Sequence, residues 1–258
     1  MKYPSILWAV LTGWLALPAA RGEAGVVPGT AETIKTGAIT DGFPDFIGPG
    51  FMNGAVTGTL KAANLNGASS TLSPPAAGLI AVEATTTAGL PWLAVSSGAQ
   101  IPSTANSGTT INFTGPADQA ARDRIANTGF HGTNEWSLQL TTLIPGATYR
   151  VQLLTVDGFA APPGRNFDIL VDGVLVFDNF NPPGLGQDPF SGIAQFEAVA
   201  AADGRLTIST AAGTTAVSAD ANPYLCALAV TQITTDPRPP VVSRQPSAAA
   251  LEIPPPSA

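Results

Sequence analysis

The feature that most constrains this chain is its punctuation. Short apolar runs recur along it, rich in Val, Ile, Leu, Thr and aromatics, and each is closed by Gly, Pro, Asn or Asp. Residues 58–67, 78–87, 108–115, 135–143, 148–158, 167–171, 174–180, 194–201, 205–210 and 224–233 all have this form. Runs this short, bounded by turn formers, predict strands rather than helices. No window carries a sustained apolar period of about 3.6 residues with caps. The best helical candidate is PADQAARDRIAN (116–127), long enough for a turn or two.

Turn chemistry places two connections. In NFDILVDGVLVFDNF (166–180), Asp172-Gly173 suits a two-residue type I′ turn, which needs positive φ at both central residues. That register pairs Val171 with Val174 and Ile169 with Val176 on one face, leaving Leu170, Leu175 and Phe177 on the other. With both faces apolar, the hairpin is expected well inside a sheet rather than at a wet edge. Asp203-Gly204 is expected to join FEAVAA to RLTIST as a second hairpin. Many short strands with hairpin turns and no alternating helices predict an all-β protein, an antiparallel β-sandwich of the jelly-roll type.

The ends differ from the middle. Lys2, the apolar stretch Ile6 to Leu17 and Pro18-Ala19-Ala20 have the order of an export signal, expected over 1–24. The run is short for a membrane span and Pro18 breaks it, which favours cleavage over an uncleaved anchor. Residues 25–57 are expected to be an N-terminal arm able to add an edge strand, and 58–234 the sandwich. The segment 235–258 holds seven prolines and is expected to be an extended, Pro-rich tail.

Charge and reactive residues exclude several functions. A net charge of −7 without any Lys/Arg cluster argues against nucleic acid and against anionic membrane as partners. No membrane insertion is expected once the signal is cleaved. Cys226 is the single cysteine, so no disulfide is available, and its apolar strand setting predicts a buried, inert thiol. His131 is the single histidine, and no G-x-S-x-G stands at a strand-to-helix turn to supply a nucleophile. The carboxylates Asp157, Asp168, Asp172, Asp178 and Glu197 show no marked pair, Asp172 being explained by its turn and Asp178 by a strand end. ITDGFPDF (39–46) and VSADANP (217–223) lack the spacing of a calcium loop, so no metal ligand is assigned and no cofactor is expected. NFT (112–114) is a formal glycosylation acceptor, meaningful only in a eukaryotic secretory pathway. The chain is expected to be non-enzymatic.

Aromatics carry the binding hypothesis. Trp136, Leu138 and Leu140 alternate on one face of a strand, which favours core. Phe159, in the loop DGFAAPPGRN (157–166), and Phe130, beside His131, have no such alternation. Loop aromatics stacking on a sugar ring, with Asp, Asn or Arg holding hydroxyls, are the ordinary solution for a glycan-binding sandwich. The connections 127–134, 157–166 and 217–223 are therefore expected to share one rim, with Asp157, Phe159, Arg165, Phe130, His131 and Asn222 as ligand-binding residues. For Phe159 a second reading stands beside the first, in which the ring caps the core beneath its own loop.

The runs GTLKAANLNGA, TLIPGATYRVQLLTVDG, RNFDILVDGVLVFDNFNP, FEAVAADGRLTIST and PYLCALAVTQI together resemble the malectin-like and galactose-binding-like jelly rolls of bacterial exported surface proteins. The likeness covers about 58–233, and PPVVSRQPSAAAL in the tail looks like the opening of an immunoglobulin-like repeat. The resemblance implies a secreted or cell-surface carbohydrate-binding module whose partner is a glycan or cell-surface polysaccharide. The alternative is a structural or adhesive surface domain without a defined glycan.

Overall fold

The computed structural model describes residues 25–35, 43, 45–54, 60–66, 69–73, 80–85, 89–96, 100–103, 118–132, 136–157, 166–181, 190–213 and 222–233. The expected export signal, the run at 108–115 with its NFT, the acidic segment VSADANP up to residue 221 and the expected Pro-rich tail lie outside the described residues. In chain order the elements are β1 (Gly25–Val26), β2 (Glu32–Lys35), α1 (Pro49–Met52), β3 (Lys61–Leu65), β4 (Ser70–Leu72), β5 (Ile80–Thr85), β6 (Leu93–Val95) and β7 (Gln100–Ser103). There follow α2 (Gln119–Ala126), β8 (Gly129–Gly132), β9 (Trp136–Leu140), β10 (Thr148–Asp157), β11 (Phe167–Val171), β12 (Val174–Phe180), β13 (Phe190–Val199), β14 (Leu206–Ala212), β15 (Tyr224–Leu225) and β16 (Ala227–Gln232). The protein is a β-sandwich.

One sheet runs β1-β13-β10-β16-β3-β5-β4, with β2 also on the outer side of β13. The facing sheet runs β12-β11-β14-β9-β6, and β15-β8-β7 form a small third sheet. Pairing is antiparallel throughout except β3 with β5, which run parallel. The expected alternation holds in β9, where Trp136, Leu138 and Leu140 are buried against Tyr149, Val151 and Leu153 of β10 across the sandwich.

The larger sheet is covered on both sides, and β10 accordingly carries apolar side chains on both faces, Tyr149, Val151 and Leu153 on one and Leu154 and Val156 on the other. Its second face carries Leu154, Val156, Ile193 and Ala229, packed under Phe43, Phe46, Ile47 and Phe51 of the N-terminal segment and Ile125 of α2. Cys226 belongs to this second core and is fully buried. Polar side chains on the same face pin the N-terminal segment down. Gln152 accepts the Ile47 amide at 2.8 Å and donates to Asp45 O and to Gln195, while Arg150 pairs with Glu197 at 2.7 Å. The Arg150 guanidinium also donates to the carbonyls of Gly50, Phe51 and Asn53, satisfying the C-terminal end of α1.

Three expectations about connections need correction. The Asp172-Gly173 turn forms, with φ of 48° and 80°, and Val171 pairs with Val174 as expected. Beyond it the register slips, so Ile169 faces Phe177 and not Val176. The hairpin also lies at an edge of its sheet, with Val174 59% and Leu175 50% exposed, although Ile169 is fully buried. Second, Asp203-Gly204 makes no hairpin. It turns the chain from β13 in the larger sheet to β14 in the smaller one, braced by Leu143 N donating to Gly204 O at 3.0 Å. A Cβ on Gly204 would lie 2.5 Å from Leu143 O, so the closeness of this corner requires glycine. Third, the connection expected at 127–134 contains a strand, β8.

The registers define two ends. At one, which we call the turn end, lie the 172–173 and 201–204 turns, the start of β10 and the end of β16. At the other, the loop end, Asp157 pairs with Phe190, Phe167 pairs with both Phe180 and Ala212, and β15 begins.

Candidate functional site

The loop end owes its shape to an irregular edge strand. Between Phe167↔Phe180 and Ile169↔Phe177, and again between Ile169↔Phe177 and Leu170↔Leu175, β12 uses one more residue than β11. Each extra residue is a bulge that bends the strand and re-aims its side chains. The outer bulge puts Asn179 in the left-handed region at φ 53°, which Asn tolerates better than most residues.

A local network holds it there. The Asn179 amide donates to Asp168 Oδ1 at 2.9 Å, and Asn166 Nδ2 donates to Asn179 Oδ1 at 3.0 Å. Asn179 Nδ2 donates to Asp178 Oδ1 at 2.6 Å. Gly213, at the end of β14, leaves room for this pair, since a Cβ there would come within 2.8 Å of both Asn166 and Asn179 side-chain atoms. Asn166 and Asp168 are buried, so the support is a built-in part of the sheet end rather than a solvated fringe.

The consequence is a cleft of about 440 Å³ lined by Val176, Phe177, Asp178, Asn179, Phe180 and Asn181 of the smaller sheet, with Thr33 of β2 opposite. The two sheet edges therefore form its two sides. Phe177 and Phe180 meet edge to face at 6.0 Å and are nearly buried, so they give a firm apolar floor. Asp178, Asn179, Asn181 and Thr33 supply a carboxylate, amide donors and acceptors, and a hydroxyl. No basic residue is among these, which suits a neutral, hydroxyl-rich ligand over an anion. The volume lies in the usual range for small-ligand sites.

The residues expected from the sequence fall differently. His131 lies in β8, partly buried, its ring 6.4 Å from that of Tyr224, and Asn222 precedes β15. Asp157 ends β10, so strand register brings all three positions to the loop end. They do not line the cleft, because β13 and β10 stand between Thr33 and β15, about 15 Å at ~4.8 Å per strand. Phe130 is a correction. It is fully buried, edge to face with Trp136 at 6.1 Å, and offers no stacking face. Its strand in the third sheet turns the ring inward, which a Gly-flanked sequence context concealed. Phe159 and Arg165 lie outside the described residues, as does the side chain of Asp157. Sequence reasoning missed Asn179 and Asn181 and set Asp178 aside. The available signal was FDNFN itself, since Asp and two Asn at the end of a strand are poor strand formers. Among the described residues no group of three His, Cys, Asp or Glu side chains could hold a metal ion.

No protein-family model matches the sequence, and no curated protein matches it. Solved structures do. The ANX2 ectodomain from Arabidopsis thaliana superposes with a TM-score of 0.52 at 15% identity, over 69% of this chain and 50% of that one. The ANXUR1 extracellular domain, also from Arabidopsis thaliana, gives 0.54 at 12% identity, over 69% and 49%. The structure of the plant peptide RALF23 in complex with FER and LLG2 gives 0.53 at 15%, over 69% and 50%. The fold is malectin-like. This chain spans about half the length of those solved chains, and identities this low carry the fold alone. Among the described residues no helix is long and apolar enough to cross a membrane.

Proposed function

We propose that this chain is an exported, non-catalytic binding module that holds a carbohydrate of a cell surface or polysaccharide at the loop end of its sandwich. The observation that carries the reading is the cleft between β2 and β12, where Asp178, Asn179 and Asn181 stand over the Phe177–Phe180 floor. A pyranose presents alternating hydroxyls and an apolar C–H face, and this arrangement offers partners to both. A left-handed Asn179 held by buried neighbours keeps the polar groups in place before a ligand arrives, which lowers the ordering cost of binding. Gly25 and Ile233, where the described domain starts and stops, lie at the turn end, so the cleft faces away from both.

The test is a glycan array probed with the full exported protein, followed by affinity electrophoresis on any polysaccharide that responds. Asp178→Ala combined with Asn181→Ala is expected to weaken binding at least tenfold with unchanged melting. An array without a single bound glycan, or a double variant that binds as the parent does, sinks the reading. It would leave a structural or adhesive surface domain.

A second reading draws on one observation. Among the described residues β12 pairs only with β11, so its outer edge is open beside the exposed Val174 and Leu175. An extended peptide could add there as a further strand, and one of the similar structures is itself a peptide complex. Peptide binding abolished by Leu175→Pro, with glycan binding absent, would favour this alternative.

A further inference from the structure

The turn end holds a separate cavity of about 230 Å³. Its body is apolar, formed by Leu143, Ile144, Val230 and the Tyr149 ring, and its polar end is Lys61 with Thr142 and Gln232. The wall is rigid for reasons visible in the backbone. Thr142 turns the chain in the left-handed region at φ 58°, and the Ile144 amide donates to the Tyr149 hydroxyl at 2.8 Å. Leu143 N bonds Gly204 O at 3.0 Å, so the 201–204 corner braces the wall from behind.

Lys61 is the unusual member. Its ammonium donates to Thr142 Oγ1 at 3.2 Å and sits 5.6 Å from the centre of the Trp92 ring. Among the described residues no carboxylate pairs with it. Glu83, whose charge acts on it, accepts a hydrogen bond from Trp92 Nε1 at 2.8 Å. Burial pulls the Lys61 pKa below its ordinary value, with Glu83 acting in the opposite sense. A partly desolvated cation at the mouth of an apolar cavity, bonded to a neutral hydroxyl, is the arrangement an incoming anion completes.

We propose that this cavity is a second ligand site, for a small monocarboxylate with an apolar body. The carboxylate would meet the Lys61 ammonium and the Thr142 hydroxyl, and the apolar part would lie along Leu143, Ile144 and Val230. At ~30 Å³ for the share of one water in liquid, the cavity holds a molecule of about eight non-hydrogen atoms. The site lies at the end of the sandwich opposite the cleft and does not depend on the glycan reading.

The experiment is a titration of the full chain with hexanoate, and separately with hexanol, followed by calorimetry and by NMR shifts at Leu143, Ile144 and Gln232. Hexanoate is expected to bind at least tenfold more tightly than hexanol and to shift those residues. Lys61→Met, which keeps the aliphatic stem, is expected to remove that preference while leaving the weak hexanol response unchanged. Hexanoate binding no better than hexanol in the parent protein overturns the proposal without reference to any variant. So does a folded Lys61→Met variant that retains full preference for the carboxylate.

Discussion

The backbone amide of Asn179 donates to the buried carboxylate of Asp168 at 2.9 Å, and this bond holds the edge strand in its bulged, left-handed turn at φ 53°. Left-handed backbone at a non-glycine residue costs of order 1 kcal/mol and persists only where neighbours over-determine it. Asp168→Ala is therefore expected to lose about 2 kcal/mol, from the broken bond and the Asn179 amide left unsatisfied at the sheet end. In a domain of this size that lowers the melting temperature by roughly 4–8 °C, and glycan binding should fall with it. A melting point unchanged within a degree would mean that Asp168 does not support the cleft.

The Asp172 carboxyl is displaced in the opposite direction from most acids. Desolvation beside the β14 strand pushes its pKa up, the Thr207 amide at 2.9 Å pulls it down, and the charge of Asp203 pushes it up again, for a net rise. A carboxyl raised on folding favours the native state below its unfolded pKa and disfavours it once ionised. Asp172→Asn keeps an acceptor for Thr207 and suits the type I′ turn equally well. The variant should be modestly more stable at pH 7 in urea unfolding, and its advantage should shrink to nothing as pH falls through the titration of the acid.

Asp118 carries the contrary pH dependence. Burial would raise its pKa, but the Arg122 guanidinium at 2.6 Å and the Ser73 amide at 2.7 Å outweigh it and hold the carboxyl below its ordinary value. A depressed carboxyl stabilises the native state above its unfolded pKa, and that contribution is lost as pH falls through the folded one. Arg122 is 3% exposed and lies 5.1 Å from the Phe43 ring. Asp118→Asn would thus remove the carboxylate that faces this buried guanidinium, at about 2 kcal/mol near neutrality. Unfolding curves at pH 7 and pH 3 should show a smaller gap between the parent and this variant at the lower value; an unchanged gap would rule the pair out as the cause.

Among the described residues, the fully buried hydroxyl of Thr231, near the end of β16, has no hydrogen-bond partner. Thr231→Val replaces it with a methyl of similar shape and raises strand propensity. The expected gain is about 1 kcal/mol, or roughly 2–4 °C in melting temperature. A loss of stability would show that the hydroxyl is satisfied after all.

Much of the local structure was written in short stretches. Alternation marked β9 as core-facing, Asp172-Gly173 specified its turn, and 116–127 carried the two turns of α2. These features depend on backbone preferences and side-chain period within a few residues, so a few residues suffice to announce them. The same holds for the sandwich class and for Cys226 as a buried thiol, since both follow from patterning along single strands.

Partner choice was not legible in that way. Asp203-Gly204 has the chemistry of a hairpin tip, yet β13 and β14 part into different sheets, the one pairing with β10 and the other with β9 and β11. Phe130 lost its loop when β8 paired with β15, far along the chain. The apolar look of Val174 and Leu175 predicted burial, but a strand at an edge has no neighbour to cover them. The cleft shows the same division. Its polar residues sit together in FDNFN, while its existence depends on β2 reaching the opposite sheet edge. Turn type and period are properties of adjacent residues, whereas edges, corners and clefts arise only when distant surfaces compete for the same burial.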